Sequence, residues 1–133
     1  AQASWPAIRA WAARHPGRVD EMLWSNPRLV FFREEPLADP TIGPIGAEGV
    51  PLTPRRSLAV DPQSIPYGTP VWLDTTEPLS AHALQRAVMA QDTGSAIVGP
   101  VRADVFWGWG DDAEARAGRM KQPLRMWVLW PKA

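Results

Sequence analysis

The sequence of 133 residues contains no cysteine. Disulfides, thiolate metal sites and a cysteine nucleophile are therefore excluded. His15 and His82 are the only two histidines, which argues against a histidine-rich metal site. Ser57 and Ser95 have no nucleophile-elbow pattern and no nearby histidine, so a serine-hydrolase interpretation has no support. We expect no metal and no other cofactor.

Charge of one sign is also missing, since 14 Lys and Arg residues balance 14 Asp and Glu residues. A chain without a basic surplus has little to hold a polyanion, so nucleic acid is not an expected partner. No apolar run approaches the ~20 residues that span a bilayer. The start, Ala1-Gln2-Ala3-Ser4, has neither a charged nor an apolar leader region, and we expect the chain to be a processed or truncated piece of a longer protein.

Turn-forming residues are abundant, with 15 prolines and 10 glycines spread through a hydrophobic sequence. This composition favours short strands joined by tight turns over a helical bundle. The 8 tryptophans are a second excess. Indole rings bury large apolar areas, and exposed ones stack on the apolar faces of sugars; most of these eight are expected to be structural.

The first 28 residues read as a helical lead-in segment. Ser4 is a suitable cap for a helix that runs to Arg14, and Ile8, Trp11 and Ala12 give it one apolar face. A second short helix is predicted from Val19 to Trp24.

From residue 29 to residue 133 the pattern predicts a mainly β domain. Six segments are strand candidates: 29–34, 57–62 (a strand that runs into a turn), 71–74, 84–92, 102–107 and 124–130. A short helix is predicted at 111–117, ending near Gly118. So many short strands with little helix between them favour a small closed barrel. Residues 45–52 are too rich in glycine for a regular strand, which predicts backbone packed closely against neighbouring chain or a ligand.

Asp104 lies among apolar strand residues, and placing a carboxylate there costs more free energy than any other local feature of the sequence. Alternation places Ala103, Val105 and Trp107 on one strand face and Asp104 on the other, beside Arg102. One interpretation is a surface Asp–Arg contact of little energetic worth. The other is a carboxylic acid at the wall of a cleft, placed to donate and recover a proton. Side-chain alternation along the strand does not decide between these two interpretations.

Two further aspartates have equally open roles. Asp92 begins Asp-Thr-Gly-Ser, which is either a turn built on the aspartate or part of a site. Asp61 precedes Pro62 and is predicted to be a turn-former.

Several motifs now stand in a recognisable order. They are Asp61-Pro62, Ile65–Thr69, Asp92–Ile97 with Gly99, and Asp104, flanked by Asn26-Pro27, Val30–Arg33, Gly43–Ala47, Gly49–Leu52, Gly118–Met120 and Trp127–Leu129. Together they resemble the C-terminal portion of the membrane-bound lytic murein transglycosylase A family, which contains the 3D domain named for three aspartates. The resemblance runs from about Ser4 to Pro131.

The resemblance implies a six-stranded double-psi β-barrel, related to that of expansins, that cleaves peptidoglycan glycan strands. Such enzymes break the β-1,4 bond after N-acetylmuramic acid without water and close a 1,6-anhydro ring. Asp104 matches the family's single acid/base, Asp92 the supporting aspartate and Asp61 a structural one. The same match gives the loop residues expected to contact substrate: Gly94, Ser95, Ala96 and Gly99. Proximity to Asp104 adds Trp107, with Trp109 as a second candidate.

The resemblance also implies partners and a location. Family members carry a preceding domain that forms the other wall of the glycan groove, so the N-terminal part of the same precursor is an expected partner. We expect a bacterial periplasmic protein, associated with the outer membrane through a lipid anchor not present in this chain. Three alternatives remain. The first is a non-catalytic, expansin-like polysaccharide-binding module, and the second is a hydrolase in which two carboxylates share the chemistry. A third is that the aspartates only cap turns, which a buried, fully hydrogen-bonded Asp104 would favour.

Overall fold

A computed structural model describes residues 4–28, 31, 34, 36 and 39–132. The chain divides into two compact units, Ala1–Pro36 and Leu37–Ala133. The boundary expected between residues 28 and 29 remains a prediction. Most of the strand predicted at 29–34 lies outside the described residues.

The first unit contains the two predicted helices. Helix α1 spans Trp5–Arg14 and helix α2 spans Val19–Trp24, with a single 3₁₀ turn between them. The backbone N–H of Ala7 donates to Ser4 Oγ at 3.4 Å, so Ser4 is the predicted cap. Both helix predictions are confirmed.

The second unit is built on one curled sheet of five strands. In chain order these are β1 (Ser57–Val60), β2 (Pro70–Thr76), β3 (Ala83–Asp92), β4 (Ala103–Val105) and β5 (Arg125–Val128). Their order across the sheet is β4-β1-β3-β2-β5. The β1–β3 pair is parallel and the other pairs are antiparallel. The mainly β class is confirmed, and the described strands form a half-barrel.

Alternation along the strands divides the sheet into a core face and an outer face. In β2, Val71 and Leu73 are buried while Trp72 between them is exposed. The core face gathers the main hydrophobic cluster: Leu58, Val60, Ile65, Val71, Leu73, Val88 and Ala90. Burial of each large side chain there contributes roughly 1.5–3 kcal/mol. This cluster holds the curled sheet together.

A cleft with a volume of about 820 Å³ lies between the edge strand β4 and the segment that leads into β5. Residues 103–105 of β4 line it on one side, and Lys121, Gln122 and Leu124 line it on the other. Its floor includes Leu58 and Leu73 of the core. The cleft is therefore the open interior of the half-barrel.

The predicted helix at 111–117 is confirmed as α3 (Asp111–Ala117), with Gly118 at its C-cap. Its Ala113 packs with Leu84 and Trp107 in a second buried cluster. Arg116 of α3 pairs with Glu77 and with Asp112, and the Arg116–Asp112 distance is 2.8 Å. The strand predicted at 102–107 was too long, because only Ala103–Val105 forms β4.

Candidate functional site

Asp92 and Asp104 lie on either side of the same residue of β1. Ala59 is the register partner of Asp92 in β3 and of Asp104 in β4. Adjacent strands are ~4.8 Å apart, so the Cα atoms of the two aspartates are separated by about 10 Å. Residues that pair directly across strands share a face, so both carboxylates project from the outer face of the sheet.

A β-bulge places Asp92 on that face. Alternation from Val88 and Ala90, both in the core, would direct Asp92 into the core as well. The register shifts instead: Leu58 pairs with Ala90 and Ala59 with Asp92, which leaves Gln91 as the extra residue. Gln91 Oε1 accepts a hydrogen bond from Ser57 Oγ at 2.6 Å. Sequence reasoning missed this bulge, although its signal was a carboxylate at a position that alternation assigns to the core.

Asp104 is accessible. Its side chain is 54% exposed, and within the described part of the chain its one partner is Arg102, whose Nε donates to Oδ1 at 3.2 Å. An ion pair this exposed contributes little to stability. Asp104 is thus neither buried nor fully hydrogen-bonded, which removes the observation that would have favoured a purely structural role.

A loop fastened to the end of β3 holds Asp92. The backbone N–H of Ala47 donates to Asp92 Oδ1 at 3.0 Å, and that of Glu48 donates to the Gln91 carbonyl at 3.0 Å. Gly46 is so close to β3 that an added Cβ would lie 2.5 Å from the Gln91 carbonyl oxygen. Residues 45–52 therefore pack against neighbouring chain, the first of the two predicted causes of their glycine content.

Asp61 ties the end of β1 to the loop between β3 and β4. Its carboxylate accepts hydrogen bonds from the backbone N–H of Gly99 at 2.7 Å and of Gln63 at 3.0 Å. These bonds, with that of Gly99 the largest contribution, lower the pKa of Asp61 below its ordinary value. The loop is also held by Thr93, whose hydroxyl donates to the Val60 carbonyl at 2.8 Å.

The residues predicted to contact substrate lie in this same loop, which joins Asp92 to the strand carrying Asp104. Ser95 and Ala96 are exposed, and Gly94 and Gly99 are half-buried. The loop is anchored by Ile97, which is buried and whose N–H donates to the Gly94 carbonyl at 2.8 Å. The loop therefore presents accessible backbone between the two carboxylates.

Trp107 occupies a different environment from that expected of an open sugar-stacking ring. It is 6% exposed, and the guanidinium carbons of Arg55 and Arg116 are each 5.5 Å from its ring centroid. Its Nε1 is buried and has no hydrogen-bond partner among the residues that the structure describes. Trp109, the second candidate, is 57% exposed. Contact of Trp107 with substrate remains a prediction, and its burial limits that contact to the edge of the ring.

The large cleft meets the candidate site at Asp104 of the edge strand β4. The cleft is floored by core residues and Asp104 is one of the residues that line it, although its register with Ala59 places it on the outer face of the sheet. The candidate site is therefore on the outer face, around Asp92, Asp104 and the loops at 43–52 and 93–102. Among the described residues, no helix has the length and apolar character needed to cross a bilayer.

Two family models match the chain. The 3D domain matches residues 56–130, and the MltA specific insert domain matches residues 1–33.

Known proteins resemble the chain over nearly its whole length. It is 37% identical to membrane-bound lytic murein transglycosylase A of Escherichia coli K12, over 95% of this chain and 35% of that relative. The lytic transglycosylase LtgG of Burkholderia pseudomallei is 61% identical, with a TM-score of 0.70 over 99% of this chain and 39% of LtgG. E. coli MltA with bound chitohexaose is 34% identical, with a TM-score of 0.75 over 92% of this chain and 37% of that structure. The chain thus spans about a third of the length of the curated relative.

Proposed function

Because this chain belongs to the membrane-bound lytic murein transglycosylase A family and contains its 3D domain, we propose that it is the catalytic barrel portion of a peptidoglycan lytic transglycosylase. The reaction is cleavage of the β-1,4 bond between N-acetylmuramic acid and N-acetylglucosamine without water. The observation that carries the proposal is the placement of Asp92 and Asp104 on either side of Ala59, on one accessible face.

Asp104 acts as the single acid/base. In its protonated form it gives its proton to the glycosidic oxygen as the bond from that oxygen to the muramyl anomeric carbon breaks. The muramyl 6-hydroxyl oxygen then bonds to the anomeric carbon, and its proton returns to Asp104. The carboxylic acid is regenerated, and the products are a free 4-hydroxyl and a 1,6-anhydromuramyl end. The exposure of Asp104 supports this role, because substrate can reach it.

The remaining predicted site residues have supporting roles. Asp92, about 10 Å away across two strand spacings, stabilises positive charge that develops at the anomeric carbon or orients groups around it. Backbone of Gly94, Ser95, Ala96 and Gly99 contacts the glycan, with Trp107 contributing the edge of its ring. Asp61 acts through structure, since it accepts a hydrogen bond from the Gly99 N–H and thereby fixes the loop that carries Gly94–Gly99.

We propose further that the half-barrel is closed in the whole protein as a six-stranded double-psi β-barrel, with residues 1–28 as a helical lead-in and 29–133 as the barrel domain. Support comes from the open, core-lined cleft, which is bordered by the edge strand β4 and by the segment that leads into the other edge strand, β5. The part of the precursor beyond this chain supplies the second groove wall. In the full-length protein, slow hydrogen exchange of the β4 amides that do not bond to β1 would support closure, and rapid exchange would count against it.

The partner is a peptidoglycan glycan strand, in keeping with a relative whose structure holds chitohexaose. We place the protein in the bacterial periplasm, associated with the outer membrane through a lipid anchor carried outside residues 1–133.

The test is product analysis. Full-length protein is incubated with purified sacculi, and the released fragments are identified by mass spectrometry. Anhydromuramyl ends are expected. Reducing ends would instead identify a hydrolase that uses both carboxylates. Unchanged sacculi with retained binding would identify a non-catalytic, expansin-like module.

A further inference from the structure

Two tryptophans lie side by side on the outer face of the sheet. Trp72 of β2 pairs in register with Trp127 of β5 on one side and with Ala87 of β3 on the other. Trp72 is 40% exposed and Trp127 is 48% exposed. Directly paired side chains have Cβ atoms about 5 Å apart, and Ala87 leaves open space beside Trp72. We refer to Trp127, Trp72 and Ala87 as the aromatic row.

A polar row runs parallel to it, two residues along the same strands. Asp74 pairs in register with Arg125 and with Gln85. Arg125 donates to Asp74 Oδ2 at 2.7 Å, and Gln85 Nε2 donates to Asp74 Oδ1 at 2.9 Å. The Arg125 guanidinium carbon also lies 6.0 Å from the centroid of the Trp127 ring. The three polar side chains are thus ordered before any ligand arrives.

These rows share a face with the proposed reaction site. Ala87 and Asp92 are on the same strand, and the bulge at Gln91 brings Asp92 onto the outer face. Five residues at ~3.3 Å each separate Ala87 from Asp92 by roughly 16 Å along the strand. A ligand that touches both must extend over several sugar units.

From this arrangement we infer that the aromatic and polar rows form a glycan-binding platform for sugar units remote from the scissile bond. Indole rings stack on the apolar faces of pyranose rings, and the adjacent carboxylate, guanidinium and amide bond to sugar hydroxyl and acetamido groups. The Arg125–Asp74 pair balances its own charge, which suits the uncharged sugar rings of a glycan backbone. The inference rests on the proposed function, because the glycan strand is the ligand assigned there.

The test uses the full-length protein with the double variant Trp72→Ala/Trp127→Ala. The matched control is Leu79→Ala, since Leu79 is 42% exposed and lies in the turn between β2 and β3, away from both rows. Loss of both rings predicts that KM for long glycan strands rises by on the order of tenfold or more. Turnover of fragments too short to reach the platform stays within about twofold of wild type, as it does for the control.

Binding is measured separately by calorimetry with chitohexaose and with long uncleaved strands, in an Asp104→Asn background. Weaker binding of the long strands by the double variant supports the platform even if the wild type turns out not to cleave glycan, so the two proposals fail independently. Unchanged binding of long strands overturns the platform. Equal losses on long and short substrates also overturn it, as does burial of both tryptophans against the rest of the full-length protein.

Discussion

Gly46→Ala should reduce activity indirectly, because the substitution displaces the loop that holds Asp92. The added Cβ would lie 2.5 Å from the Gln91 carbonyl oxygen, 2.5 Å from Leu52 Cδ2 and 3.2 Å from Leu52 Cγ. The Leu52 side chain can turn away, but the backbone carbonyl of a paired strand cannot. The loop must therefore shift away from β3, and the bond from Ala47 N–H to Asp92 lengthens or breaks.

The size of the effect follows from this geometry. Overpacking of a close contact costs about 1–3 kcal/mol of folding free energy. A displacement on the order of 1 Å of a group that stabilises the transition state lowers the rate by up to about 10²-fold. We therefore expect Gly46→Ala to fold at moderate temperature, with a lower Tm and a lower kcat on sacculi.

Differential scanning calorimetry and the rate of fragment release from sacculi measure the two effects on full-length protein. Gly17→Ala is the control, because an added Cβ at Gly17 meets no atom of the described residues within 4 Å. Wild-type activity in Gly46→Ala, with a lowered Tm, would refute the claim that this loop positions Asp92. Wild-type values for both quantities would refute the close packing itself.

Three other predictions concern the hydrophobic core, the loss of stability at acidic pH and the role of Asp92. Leu73→Ala, at a core position that is 1% exposed, should cost about 2–5 kcal/mol in a denaturant unfolding experiment, and a cost below about 1 kcal/mol would contradict its place in the core. The lowered pKa of Asp61 stabilises the fold above the ordinary carboxyl pKa of about 4, and this contribution is lost as the pH falls through the folded-state value. In the Asp61→Asn variant, Tm should therefore fall less steeply with decreasing pH below about pH 4 than it does in the wild type. An equally steep fall would count against the link between the lowered pKa of Asp61 and stability. Asp92→Asn should lower the rate of anhydro-product release strongly but less than Asp104→Asn does, by up to about 10³-fold, and a complete loss would make Asp92 the primary acid.

Local sequence signals were sufficient for most secondary structure in this chain. Ser4 and Gly118 mark helix ends, and α3 has its predicted limits because acidic residues favour the first turn and glycine the end. The strands of the central sheet were found by alternation, which depends only on which face is buried. Strand 102–107 was predicted too long because Phe106 and Trp107 have high β propensity, whereas tertiary contacts with α3 decide the position of Trp107.

The candidate site needed more than local signals. Alternation correctly placed Asp104 opposite Ala103 and Val105, both of which pack against the core. It could not place Asp92, because a bulge depends on pairing between β1 and β3, and these strands are far apart in the sequence. The packing partners of Trp107 could not be predicted for a similar reason. Its cluster with Leu84 and Ala113 joins segments that no short window contains.

The central claim is that Asp104 carries the proton in a non-hydrolytic cleavage. The direct measurement is mass-spectrometric analysis of fragments released from sacculi by full-length protein with Asp104→Asn, compared with wild type, with circular dichroism to verify the fold. Asp104 is exposed and, in the described part of the chain, its side chain makes one hydrogen bond, so the substitution should leave the Tm nearly unchanged. The account predicts loss of anhydromuramyl products by at least about 10³-fold, because an amide can neither give nor recover the proton. Anhydro products released at close to the wild-type rate would contradict it.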